Sequence, residues 1–235
     1  MLTPGRIYEE ELLDAGEGTD EDVRKNLIDL RRINRLLGGT RVVMDALSRS
    51  VNGNGVRQLS LLDVGTGSAD IPAEVHRWCR ARAIEPFITA LDLSERNLRI
   101  VRKDFVSGSE LSFVRADAMR LPFAARSFDY VTASLFLHHF RDDDVVRLLA
   151  DFARVACRAV IVNDLVRNLV PYYFSRVTGP FLATSFLTRN DGPVSVLRGF
   201  TAGELEGLAV RAGLRNYRMK RMFPYRLSLV ADVSS

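Results

Sequence analysis

LSLLDVGTGSADIP, residues 59–72, decides the fold. An apolar run ends in Asp63-Val64-Gly65-Thr66-Gly67-Ser68 and gives way to an amphipathic stretch over 69–83. A buried strand that turns through glycines into a helix opens a βαβ unit. Gly65 and Gly67 allow a sharp turn and a close backbone approach to a ligand, where a Cβ would intrude. Asp63 puts a carboxylate at the tip of an otherwise apolar strand, a costly position unless it is hydrogen-bonded.

Downstream the same pattern recurs. PFITALDLS (86–94), ELSFVRAD (110–117), SFDYVTASLFL (127–137) and RAVIVNDL (158–165) read as further strands. A helix begins at Ser94, and another opens on the acidic run Asp142–Asp144, suited to a helix N-terminus. Apolar strands separated by helices imply a parallel sheet covered on both faces. Residues 166–200 break the alternation; they are rich in aromatic residues and contain Pro171, Pro180 and Pro193. Thr201 and Glu204 then form a capping-box pair for a helix over 202–212, and strands near 214–221 and 225–232 meet at a tight turn at Phe223-Pro224.

Upstream, Asp20 is placed to cap a helix whose apolar residues fall at Val23, Leu27, Leu30, Ile33 and Leu37. Gly38-Gly39 stops it, Thr40 is placed to cap a second short helix, and 51–58 reads as a linker-like loop. The expected architecture is α/β: a doubly wound, seven-stranded, mostly parallel sheet with N-terminal helices and a helical insertion after the fifth strand. It divides into a helical cap, 1–58, and a sheet domain, 59–235, carrying the insertion 166–200.

The 235 residues are 47% hydrophobic and 26% charged, ordinary globular composition. No apolar run is long enough for a membrane span, and the acidic N-terminus is unlike a signal peptide, so a cytoplasmic protein is expected. The net charge of +4 raises nucleic acid as a partner. The basic residues are nearly all arginine, with Lys25, Lys103 and Lys220 the only lysines, and they are spread along the chain among acidic ones, so nucleic acid is disfavoured. Three histidines and two cysteines, scattered along the sequence, give no metal-ligand spacing, and no metal is expected.

In an open parallel sheet the ligand lies beyond the carboxyl ends of the strands. The second strand ends in Asp92, suited to accept two ribose hydroxyls, and the third runs into Asp117-Ala118, suited to an adenine amino group and ring nitrogen. Each feature is modest alone; three in order at successive strand ends are specific. A dinucleotide fingerprint would need Gly or Ala at position 70, where Asp70 stands and would repel a pyrophosphate. A ligand carrying a sulfonium and an ammonium group is compatible with that charge.

Through LLDVGTGSADIP, ALDLS, RADAMRLPF and SFDYVTASLFLHHF, residues 59–165 resemble the class I S-adenosylmethionine-dependent methyltransferases, most closely the small-molecule branch that includes the ubiquinone and menaquinone biosynthesis enzymes. The resemblance implies a Rossmann-like methyltransferase fold with an antiparallel terminal hairpin, S-adenosyl-L-methionine as cofactor and S-adenosyl-L-homocysteine as product. It places Asp63, Gly65, Thr66 and Gly67 along the methionine moiety, Asp92 and Leu93 at the ribose, Asp117 and Ala118 at the adenine, and Ser134 and Leu135 on the sulfonium side. The late-chain signatures of the quinone enzymes are missing, so the quinone substrate is not implied.

Methyl transfer needs alignment, exclusion of water and, for a phenol, enol or quinol, a base. His138 and His139, just past the fourth strand, are the candidates. For the substrate, an apolar lid from the insertion with Tyr173, and a polar cluster of Arg189, Asp191, Ser195 and Arg198 in TRNDGPVSVLRGFT, suggest an aromatic, quinone-like or polyketide-like molecule. The same insertion can instead pack on a partner subunit or touch a membrane surface through 166–187, and the chain is expected to be a monomer or homodimer. Arg31, Arg32, Arg35 and Arg41 are further candidates for a ligand carboxylate. Two alternatives stay open: an RNA methyltransferase, disfavoured by Ser134-Leu135-Phe136-Leu137 where an amino-group-directed enzyme carries Asn or Asp, Pro-Pro and an aromatic; and a cofactor-binding partner protein without catalysis.

Overall fold

Seven strands form one sheet in the computed structural model, which describes residues 3–51, 55–105 and 111–234. They are β1 (Gln58–Val64), β2 (Glu85–Asp92), β3 (Leu111–Arg115), β4 (Phe128–Ser134), β5 (Ala156–Leu165), β6 (Tyr217–Met222) and β7 (Arg226–Asp232), in the order β3-β2-β1-β4-β5-β7-β6. Only β7 runs against its neighbours. The chain's progression across the sheet reverses between β1 and β4, which makes their carboxyl ends the switch point where such sheets bind ligands. Position 110 of the expected third strand, and 52–54 of the expected loop 51–58, lie outside the described residues.

The helices are α1 (Asp20–Leu36), α2 (Gly39–Val51), α3 (Asp70–Arg80), α4 (Glu95–Arg102), α5 (Asp142–Val155), α6 (Leu169–Leu182), α7 (Phe186–Arg198) and α8 (Ala202–Arg211). Neighbouring positions such as Leu61 and Leu62 are both fully buried, because both faces of the sheet are covered. Leu62, Val131, Val160 and Leu229 pack with Leu148, Phe152 and Leu205 on the side of α5 and α8. Leu61, Ile88, Tyr130 and Ile161 pack with Val43, Leu47, Val75 and Cys79 on the side of α2 and α3. Each such aliphatic side chain contributes about 1.5–3 kcal/mol through burial. A third cluster ties α1 to α4, α7 and the glycine loop through Val23, Leu27, Val101, Leu187 and Ala69.

Element ends move where local chemistry outranks pattern. Thr19, not Asp20, caps α1, in a reciprocal box with Asp22, and Asp20 becomes the first helical residue. The second helix starts at Gly39, where an added Cβ would lie 1.6 Å from Asn34 Oδ1, so Thr40 falls inside it. The fourth strand stops at Ser134 because Leu135 turns to φ +55° and gives its N–H to the Asn163 carbonyl at 2.8 Å. Residues 137–139 then form a 3-10 turn. The insertion is a pair of packed helices, α6 on α7, and α6 buries no side chain of its own.

Candidate cofactor and acceptor site

At the switch point, β1 enters a loop whose residues Gly65, Gly67 and Ala69 all take positive φ. A Cβ at Gly65 would lie 2.1 Å from Cδ2 of Phe136, so glycine is required by backbone shape and by the aromatic ring alike. The loop is pinned from the next strand: Thr66 N donates to the Leu91 carbonyl and Gly67 N to Asp92 Oδ2, both at 2.9 Å. Arg31 on α1 donates to the Ser68 carbonyl from the other side.

Asp63 does not line the crevice. It is 2% exposed, and its carboxylate accepts the hydroxyls of Thr132 at 2.6 Å and Thr66 at 2.7 Å. Thr132 is its register partner on β4, so the pair follows from strand alignment. Burial pushes the Asp63 carboxyl up to about 7 against these hydrogen bonds, and the charges of Asp70 and Asp92 add to the rise. Asp63 braces the loop from within.

Asp92 sits at the end of β2, partly buried, with Oδ1 accepting Ser94 N and Oδ2 accepting Gly67 N. Burial raises its carboxyl above the usual range, opposed by those two amides. Each oxygen keeps a second lone pair. Leu93 beside it is 64% exposed. Asp117 is exposed and caps the 3-10 turn that follows β3, accepting Met119 N at 2.8 Å, with Ala118 buried next to it. Ser134 accepts from Asn163 Nδ2 at 2.8 Å.

His138 and His139 stack, ring centroids 4.3 Å apart. His138 is buried: Nδ1 meets Asp164 Oδ1 at 2.7 Å, and Nε2 lies 3.5 Å from Glu11 Oε1. Burial alone would lower its pKa, but the charge and hydrogen bond of Asp164, with Glu11, raise it to about 9, so it is protonated at neutral pH. Burial opposes the shift on Glu11 too, and His138 and His139 carry it down to about 2. His139 is partly exposed; its Nδ1 meets Asp14 Oδ2 at 2.6 Å and lies 4.0 Å from Glu11 Oε1. Ligand atoms of Glu11, His138 and His139 all fall within 4.8 Å of one another.

The polar residues expected to meet a substrate are engaged with the chain itself. Asp191 accepts the amides of Leu12 and Leu13, and Ser195 donates to Glu11 at 2.7 Å. Arg198, 6% exposed, donates to the carbonyls of His138, His139 and Glu9. Arg189 donates to the Ala183 and Thr184 carbonyls, and Tyr173 lies exposed on α6 against Tyr172. Together these bonds tie residues 9–14 across the turn after β4.

Sequence reasoning missed Glu11, Asp14 and Asp164, which meet the histidines only through the fold. It also missed Arg226, 1% exposed at the start of β7, whose Nη1 and Nη2 have no hydrogen-bond partner. Burial lowers its pKa to about 10, against the nearby charges of Asp164 and Asp70. Arg226 pairs with Leu165, two residues beyond Asn163, so the two share a face at the carboxyl edge of the sheet.

A switch-point crevice with a pinned glycine loop and carboxylates at successive strand ends defines the class: a sheet of the kind found in class I S-adenosylmethionine-dependent methyltransferases. Residues 61–158 match the methyltransferase domain family. Demethylmenaquinone methyltransferase of Chlorobaculum tepidum is 31% identical over 120 residues, 49% of this chain and 46% of that protein. The chain spans about half the length of the curated relatives it matches. A SAM-dependent methyltransferase from Aquifex aeolicus superposes with a TM-score of 0.65 at 15% identity, covering 92% of this chain and 100% of that one. Magnesium protoporphyrin IX methyltransferase from Synechocystis, solved with bound SAH, gives 0.60 at 16% identity over 88% of this chain and 94% of that one. Among the described residues no helix is long and apolar enough to cross a membrane.

Proposed function

We propose that this protein transfers the methyl group of S-adenosylmethionine to an oxygen or carbon of a small, aromatic, quinone-like or polyketide-like molecule. The observation that carries the reading is the loop 65–67 at the switch point, turned through positive φ at Gly65 and Gly67 and fixed by Asp92. In this reading the loop backbone receives the methionine moiety, Asp92 and Leu93 the ribose, and Asp117 and Ala118 the adenine. Ser134 and Leu135 flank the sulfonium. Residues 1–58 act as a cap and 166–200 as a lid, with α6 free to touch a membrane surface.

Among the chain's own groups, His139 is the base for an acceptor proton, since His138 already carries a proton and is held between Asp164 and Glu11. The fold's part in the displacement is alignment and the exclusion of water. The test is calorimetric titration of S-adenosylmethionine and S-adenosylhomocysteine into wild type and Asp92→Ala. Saturable binding lost in the variant, followed by methylation of a phenolic or quinol acceptor, supports the reading. No binding to wild type overturns it.

A further inference from the structure

The turn after β4 and the N-terminal segment bring together four donors that no sequence spacing announces. They are Nε2 of His138, Nδ1 of His139, Oε1 of Glu11 and Oδ2 of Asp14. We propose that Glu11, His138 and His139, with Asp14 alongside, form a binding site for one first-row divalent cation at the rim of the cofactor crevice.

The spacing fits such an ion. Metal–ligand bonds of about 2.0–2.2 Å put two donors on one tetrahedral or octahedral ion about 3.0–3.6 Å apart. Glu11 Oε1 and His138 Nε2 are 3.5 Å apart, and Glu11 Oε1 and His139 Nδ1 4.0 Å. All three ligand atoms fall within 4.8 Å of one another, so a shift of up to about an ångström in the partly exposed His139 brings them into range. Asp14 hydrogen-bonds His139 Nδ1 at 2.6 Å, closer than two ligands of one ion stand, so an entering ion breaks that bond and leaves Asp14 beside it as a fourth donor.

The surroundings are those of a supported site. Asp164, fully buried, takes Nδ1 of His138 at 2.7 Å, which leaves Nε2 as the ligating nitrogen; this carboxylate–histidine arrangement orients metal-bound imidazoles. Ser195 donates to Glu11 and orients its carboxylate, while Arg198 fixes the backbone carbonyls of both histidines. The ion takes the place of the His138 Nε2 proton. Two imidazoles with carboxylates favour Zn²⁺, Mn²⁺, Fe²⁺ or Co²⁺ over Mg²⁺ or Ca²⁺, which prefer oxygen alone. Partial exposure of His139 and Asp14 gives the ion access from solvent.

The site directly follows β4, and the electrostatic neighbours of Asp92 include Asp14 and His139. An ion held here takes an oxygen of the acceptor in place of the base role of His139, whose Nδ1 it occupies. That last role rests on the methyltransferase reading; the metal site does not.

The test uses the full chain, stripped with a chelator and free of cofactor, in equilibrium dialysis against Zn²⁺ and separately Mn²⁺. The expected result is one ion per chain, with affinity lowered at least tenfold in His139→Ala and in Glu11→Gln, each shown folded by circular dichroism, and unchanged in His76→Ala on α3. Absence of saturable uptake by wild type overturns the proposal, as does affinity that both variants leave intact. Because no methyl donor is present, failure here leaves the cofactor titration untouched, and failure there leaves this result standing.

Discussion

Gly65 and Phe136 lie so close that a methyl group on Gly65 would meet the ring at 2.1 Å. The ring comes from the turn after β4, so the two halves of the crevice are in contact at this point. Gly65→Ala is therefore expected to disturb the loop twice, through the contact and through φ +67°. It should lower the melting temperature and weaken S-adenosylhomocysteine binding at least tenfold. Combining it with Phe136→Ala removes the clash but not the φ penalty. The double variant should be more stable than the sum of the singles predicts, with an interaction energy of about 1 kcal/mol or more in a double-mutant cycle. Simple additivity would mean that the ring moves aside at no cost.

Asp63 gives a pH dependence of unusual sign. Its carboxyl is raised from 3.8 to about 7, so the folded chain holds a proton there that the unfolded chain releases near pH 4. This group's contribution to stability is full below pH 4 and falls as pH rises from 4 to 7, where the charge becomes buried. Asp63→Asn keeps the shape without the charge. The melting-temperature difference, variant minus wild type, should be smallest near pH 4, already rising at pH 5, and reach its maximum above pH 8. A flat difference across that range would show that Asp63 ionises as an ordinary carboxylate.

How much of this was legible beforehand depends on whether the signal is local. The strand ends were, because an apolar run closing on Gly65, Asp92 or Asp117 is a pattern of adjacent residues. The helix cap missed by one position, since Thr19 and Asp20 are both good caps and only the reciprocal bond with Asp22 decides between them. Asp191, Ser195 and Arg198 read as a polar cluster, and they are one. Their partners at Leu12, Leu13, Glu11 and Glu9 lie far away in the chain, so the sequence could not say that the cluster faces inward. Asp63 was visible as a carboxylate, but its satisfaction by Thr132 depends on the pairing of β1 with β4.

Arg198 holds three carbonyls, two on the histidine turn and one on the N-terminal segment. A lysine keeps the charge but cannot span three acceptors with a planar fork. Arg198→Lys should destabilise the protein by about 2–3 kcal/mol in urea unfolding, the scale of buried hydrogen bonds to a charged group. Hydrogen exchange should rise most at Leu12 and Leu13, because the segment they anchor loses its hold at Glu9. Equal protection in wild type and variant would assign the segment's position to Asp191, Ser195 and the histidines, with no part for Arg198.

Phe181 on α6 and Phe152 on α5 are the same residue type in opposite settings, 85% exposed and fully buried. Burial, not composition, sets what each contributes. Phe152→Ala opens a cavity in the cluster beneath α5 and should cost about 3–5 kcal/mol. Phe181→Ser removes little that water does not already touch and should change stability by less than about 0.5 kcal/mol. Since α6 buries no side chain, the same small effect is expected for Val177→Ser. Urea unfolding of the three variants checks the contrast. A loss of more than 1 kcal/mol at either exposed position, growing with protein concentration, would mean that α6 is covered in solution by a second copy of the chain.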